Sequence, residues 1–216
     1  MELNEQADID TGQVDDRRGA GGGLGGGGLP LPTGRGGWVG LIVAVLAALV
    51  GGGTYGYNTL TDEEPPPGGQ EVLAQRCAQP DKLRHLDCRN TAYVNSVQDY
   101  WRDALPRHFS RPYPPARTTF FSRAVQTGCG AADAGVGPFY CPADRRVYID
   151  LTFYRVLAEQ LGAPGEFAQP YVIAHEYGHH VQTVVGTEAQ VRRAQQRDPG
   201  NANRYSVMLE LQADCY

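Results

Sequence analysis

What this sequence lacks narrows it first. It has no excess of positive charge: 19 Lys and Arg stand against 24 Asp and Glu, for a net charge of -5 over 216 residues. Nothing in that balance draws the chain to a nucleic acid. It has no internal repeat, which excludes a solenoid. Its most glycine-rich stretch, GAGGGLGGGGLPLPTGRGG, is followed by no GKS or GKT, so these glycines make no phosphate loop. There is no cysteine before Cys77 and no histidine after His180.

What is present is unevenly spread. Residues 1–37 are rich in glycine and offer few side chains to bury, which predicts a flexible tail. Residues 38–50, WVGLIVAVLAALV, are apolar without a break, inside an uncharged run from Gly36 to Thr61. As a helix that run can cross a bilayer, with Trp38 at one interface and Tyr55 and Tyr57 at the other. Residues 38–60 are therefore expected to be a transmembrane anchor in contact with lipid. Arg17, Arg18 and Arg35 precede it, and Asp62, Glu63 and Glu64 follow. That asymmetry predicts a single-pass protein of the bacterial cell membrane, its tail cytoplasmic and its larger part extracytoplasmic. A cleaved signal peptide fits less well, because the apolar run starts far from Met1 and lacks an Ala-x-Ala site. Residues 61–70, with DEEPPPGGQ, read as a linker, and residues 71–216 as the outer domain. All five cysteines lie in that outer part, where bridges survive. Cys77 and Cys88 could close one loop and Cys129 and Cys141 another, with Cys215 left over. Four cysteines allow three pairings, and the sequence does not choose among them.

The outer domain reads as α+β, mainly helical with a small sheet. A helix is expected from Glu71, and a second from about Thr91 to Leu105, where Val94, Val97, Trp101 and Leu105 recur at helical spacing. Pro106 and RPYPPAR should end it. Short strands are expected at Thr118–Phe121 and at VYID, Val147–Asp150. Residues 151–161 look helical. The next helix, from near Pro170 to a stop at Gly186, is apolar round much of its circumference and should be largely buried. Thr187 and Gln190 suit a capping box for a helix to about Asp198. A last helix runs from about Tyr205. The chain stops at Tyr216 inside that pattern, with no stop signal, so the domain is expected to be incomplete there.

The buried-looking helix carries AHEYGHH, residues 174–180. Residues four apart lie on one helical face, so His175 and His179 can aim both imidazoles at one metal ion. Neutral imidazole suits zinc. Glu176 beside them is placed to take a proton from a water on that ion. Gly178 costs helix stability, which a tight approach by neighbouring backbone would explain. His180 is turned about 100° from His179 and cannot readily share the ion. A third ligand is needed if zinc is to keep an open position. Cys129 and Cys141 lie upstream, but bridging competes for them. Downstream, MLELQADCY places Glu210 and Asp214 on one helical face. Glu210 then suits the third ligand, and Asp214 suits the outer N–H of His175.

These residues carry a resemblance. HExxH followed by ExxxD resembles the gluzincin metallopeptidases, a thermolysin-like group. More closely, Thr127 to Tyr216 resembles the bacterial neutral zinc metallopeptidase family, through GCGAA, GPFYCP, VYIDLTFY, YVIAHEYGHHVQ and SVMLELQADCY. The resemblance implies a zincin-like domain with one catalytic Zn2+, held by His175, His179 and Glu210, and with Glu176 as base. It also implies a membrane anchor. The expected activity is hydrolysis of peptide bonds in a peptide or protein. The alternatives are a zinc amidase acting on a cell-wall or other non-protein amide, and an inert membrane-anchored metal-binding scaffold. Tyr177, Tyr205, Tyr216 and His180 are available as a second oxyanion donor, and VYID as an edge strand to align a peptide.

Overall fold

A computed structural model describes residues 4–19, 68–159 and 167–216. The expected anchor at 38–60 and the linker up to residue 67 lie outside the described residues. Among the described residues no helix is long and apolar enough to cross a membrane.

Among the described residues six strands and six α-helices follow in chain order. They are β1 (Val14–Asp16), α1 (Gln70–Cys77), α2 (Leu86–Phe109), β2 (Arg117–Phe121), β3 (Ala124–Thr127) and β4 (Gly130–Asp133). Then come β5 (Phe139–Cys141), β6 (Arg146–Asp150), α3 (Phe153–Glu159), α4 (Ala168–Val185), α5 (Thr187–Arg197) and α6 (Ala202–Cys215). The sheet order is β1-β2-β6-β5, with β3 and β4 pairing apart as a hairpin. β1, β2 and β6 are parallel, and β5 runs antiparallel along β6. This is the α+β arrangement expected.

Strand alternation divides the core. Phe120, Val147 and Ile149 face α2 and α4, where they meet Val94, Trp101, Leu105, Ile173, Tyr177 and Val181. Phe121 and Tyr148 point the other way, onto Val125, Phe139 and Cys141. Burying each large apolar side chain contributes about 1.5–3 kcal/mol. Trp101 packs edge-on against Tyr216, with ring centroids 5.7 Å apart, so it is a core residue as expected.

Cys77 bridges to Cys88 and Cys129 to Cys141, with Cα atoms 5.3 and 5.8 Å apart. The first ties α1 to α2, and the second ties the hairpin loop to β5. Each such bridge contributes about 2–4 kcal/mol. Cys215 is free and exposed.

Several expectations need correcting. VYID is an interior strand among the described residues: β6 lies between β2 and β5, and the edges are β1 and β5. Helix α2 does not stop at Pro106. The helix continues through Pro106 although that ring cannot donate to the Arg102 carbonyl, and it ends when Ser110 turns left-handed at φ 52° and donates its N–H to the Pro106 carbonyl. The capping box before α5 does not form. Gly186 closes α4 at φ 90° and opens α5 at once, and Glu188 instead accepts from the Thr183 hydroxyl at 2.6 Å.

The largest correction concerns the expected flexible tail. Residues 4–19 form an arm built into the domain. Val14 is fully buried in β1. Arg18 is buried as well: Nε and Nη2 donate to Asp16 at 2.8 and 2.7 Å, and Nη2 also donates to Asp87 on α2 at 2.8 Å. Arg76 of α1 pairs with the same Asp87 carboxylate. Burial pushes the Asp87 carboxyl up, but the two guanidiniums outweigh it and hold it below its usual value. Composition averaged over residues 1–37 hides this, because glycine dominates the stretch beyond Gly19.

Candidate metal centre

Helix α4 forms because its interior is apolar or small and Gly186 supplies the left-handed stop. The Gly186 N–H reaches the carbonyls of Gln182 and Thr183 at 3.0 and 3.2 Å. Its buried face brings His175, Glu176 and His179 against α6. There Leu209 and Ala213 are buried, with Glu210 between them at 7% exposure.

Three electron-rich atoms converge. His175 Nε2 and His179 Nε2 are 3.2 Å apart, and each is 3.2 Å from Glu210 Oε2. Both outer nitrogens are held. His175 Nδ1 meets Asp214 Oδ1 at 2.8 Å, and His179 Nδ1 meets Gln182 Oε1 at 2.9 Å. With Nδ1 donating on each ring, both Nε2 lone pairs face the common point. Two imidazole nitrogens and one carboxylate oxygen suit zinc with an open position. Among the described residues this is the one group of three or more His, Cys, Asp or Glu with metal-holding geometry.

The electrostatics agree with that chemistry. Burial pushes the His175 imidazole down, but Glu210, Glu176 and Asp214 outweigh it and raise it to about 9. Burial pushes Glu210 up, yet the two histidines bring it down to about 2. The cluster therefore attracts a positive charge strongly. Glu176 is 1% exposed, and its Oε2 has no hydrogen-bond partner. Burial raises its carboxyl, while His175, His179 and the Tyr140 main-chain N–H pull it back.

Gly178 answers a packing need. A β-carbon there would lie 2.8 Å from the Ala213 carbonyl oxygen and 3.1 Å from Ala213 Cα. Only glycine lets α6 come this near, and that approach brings Glu210 to the histidines. His180 stays out of the cluster, as expected. It is fully buried, its Nε2 donates to the Pro114 carbonyl at 2.7 Å, and its Nδ1 accepts from the Tyr140 hydroxyl at 3.1 Å.

The other candidates are accounted for. Cys129 and Cys141 are bridged. Tyr177 is buried against Thr118 and Ala116, the Tyr205 hydroxyl reaches Asp198, and Tyr216 packs on Trp101 and Phe109. Sequence reasoning missed Gln182, which also donates to the Leu209 carbonyl at 2.7 Å and so ties α4 to α6. Its place one turn after His179 was the available signal. Sequence reasoning also missed Tyr171, whose hydroxyl donates to Asp214 at 2.6 Å.

The chain is similar to proteins already known. It is 39% identical over 208 residues to the uncharacterized protein YpfJ of Escherichia coli K12, covering 94% of this chain and 69% of that one. It is 46% identical over 145 residues to the uncharacterized protein Rv2575 of Mycobacterium tuberculosis, covering 67% of this chain and 46% of that one. No solved structure matches. A family description, "Putative neutral zinc metallopeptidase", matches residues 3–216. That span takes in the arm, the sheet and both helices of the metal centre, and the chain belongs to this zinc metallopeptidase family.

Proposed function

We propose that this domain hydrolyses peptide bonds, with His175, His179 and Glu210 holding a zinc ion and Glu176 acting as general base. The observation that carries the reading is the convergence of three ligand atoms beside a buried glutamate that keeps one oxygen unpartnered. Zinc, when bound, would polarise the scissile carbonyl and lower the pKa of water. Glu176 takes the proton of the attacking water through Oε2 and returns it to the leaving nitrogen. Its raised carboxyl pKa suits a group that must both accept and release a proton. Asp214 and Gln182 orient the two imidazoles and keep their tautomers fixed.

Strand β5 supports a peptide substrate. It is one edge of the sheet among the described residues, and its Tyr140 N–H meets the Glu176 carboxylate. An extended chain added along that edge would bring its backbone to the base. The two disulfides support an extracytoplasmic place for the domain, with the apolar run at 38–60 as its lipid contact. The reading is tested with zinc-loaded complete protein on a broad peptide library, with Glu176→Gln as the control.

A further inference from the structure

The two imidazoles of the metal centre are oriented by different partners, and each partner is anchored across the interface of α4 and α6. Gln182 accepts from His179 Nδ1 at 2.9 Å and is fixed by donating to the Leu209 carbonyl of α6 at 2.7 Å. It is fully buried and lies on the same helix as the histidine it serves. Asp214 meets His175 Nδ1 at 2.8 Å, but it comes from α6 and is exposed. An exposed carboxylate can turn into water, and holding it in one rotamer costs entropy. Helix α4 supplies the anchor. Tyr171 stands one turn before His175, and its hydroxyl donates to Asp214 Oδ1 at 2.6 Å.

One carboxylate oxygen thus receives both donors. The Tyr171 hydroxyl and His175 Nδ1 converge on Asp214 Oδ1 from the same helix. An ionised carboxylate only accepts, so both hydrogens point at it and the imidazole keeps its lone pair at Nε2. The Tyr171 ring is partly buried against the core, 6.2 Å from the His175 ring, centroid to centroid. Packing therefore holds the hydroxyl in place. It lies on the Nδ1 side of the imidazole, whereas the ligand atoms of His175, His179 and Glu210 meet at Nε2. Tyr171 acts through Asp214 and not by touching an ion.

We propose that Tyr171 is a positioning residue for the metal centre: its hydroxyl holds the Asp214 carboxylate against His175 Nδ1 and so keeps His175 Nε2 aimed at the ligand point. Two effects oppose each other. Sharing Oδ1 with Tyr171 draws some of its charge away from His175, which weakens the ligand. Fixing the carboxylate in one rotamer spares its entropy, which strengthens the site. Fixation wins, because Asp214 is exposed and water takes the same acceptor position once the hydroxyl is removed. The charge on Oδ1 then changes little, and only the anchor is lost. This role rests on the zinc ligands assigned above, but it requires no hydrolysis.

The test measures the zinc affinity of the full chain by chelator competition, in a double-mutant cycle. Tyr171→Phe keeps the ring and removes only the hydroxyl. It should weaken zinc binding roughly three- to tenfold, less than the loss of an orienting residue itself, because it acts one step further out. In an Asp214→Ala background the same change should have no effect, since the group it holds is gone. Unchanged affinity of Tyr171→Phe overturns the proposal and makes Tyr171 a packing residue. An equal loss with and without Asp214 overturns it too, because the hydroxyl would then act by another route. Failure of the parent chain to bind zinc removes the ligand assignment itself, and the proposal with it.

Discussion

Gly178 and Ala213 touch backbone to backbone, and that contact sets the distance between the two histidines of α4 and Glu210 of α6. Local and tertiary demands conflict at this glycine. In an isolated helix Gly178→Ala would gain roughly 1 kcal/mol. Here the added carbon meets main chain, which cannot rotate away. We expect Gly178→Ala to push α6 outward and lower zinc affinity at least tenfold, about 1.4 kcal/mol. Chelator competition measures it, and unchanged affinity would contradict this role for the glycine.

Asp214 and Gln182 should act on zinc without touching it. Each holds the outer nitrogen of one imidazole. Asp214→Asn and Gln182→Ala should each weaken zinc binding by roughly 10–100-fold while leaving one ion per chain at saturation. Gln182→Ala should also lower thermal stability, because the Leu209 carbonyl loses its side-chain donor. An effect on stability alone would make Gln182 a packing residue.

The metal-free protein should lose stability as the solution turns alkaline. The folded state raises His175 from 6.5 to about 9, so its contribution is full below pH 6.5 and fades as pH climbs towards 9. Glu210 acts at the other end. Its folded value falls from 4.5 to about 2, so its contribution is present above pH 4.5 and fades as pH drops towards 2. Both are present between about pH 4.5 and 6.5. Denaturant titrations in chelator at about pH 6 and about pH 9 check this, with the lower midpoint expected at the alkaline end. Zinc should abolish the alkaline loss, since the ion replaces the proton.

Removal of the Arg18 side chain should be costly. Arg18→Ala leaves Asp16 and Asp87 buried with one charge partner fewer. Breaking such a buried pair from one side costs about 3–5 kcal/mol. Urea unfolding of the variant should show that loss, and a change under about 1 kcal/mol would mean that the arm adds little to the fold.

The metal centre was largely legible in the sequence because its logic is helical and local. His175 and His179, and likewise Glu210 and Asp214, each sit one turn apart, and that spacing survives any tertiary arrangement. Gly178 announced a close approach without naming Ala213. Gln182 was legible only as a place one turn after His179, since an amide on a helix reads equally well as solvent-facing. The order of β5 and β6 was hidden for another reason. VYID has the stronger strand composition, but edge and interior are decided by pairing between distant segments. The arm was the least legible part. β1 is three residues long, two of them aspartates, and its partners lie about a hundred residues away.

Hydrolysis is the central claim, and one paired measurement bears on it most directly. Complete protein and its Glu176→Gln variant are loaded with zinc, assayed for metal content, and incubated with a broad peptide library. The account predicts one zinc per chain in both, cleavage by the parent protein, and a loss of at least about a hundredfold in the variant. Full zinc occupancy with no cleavage by either protein, or equal cleavage by both, would contradict it.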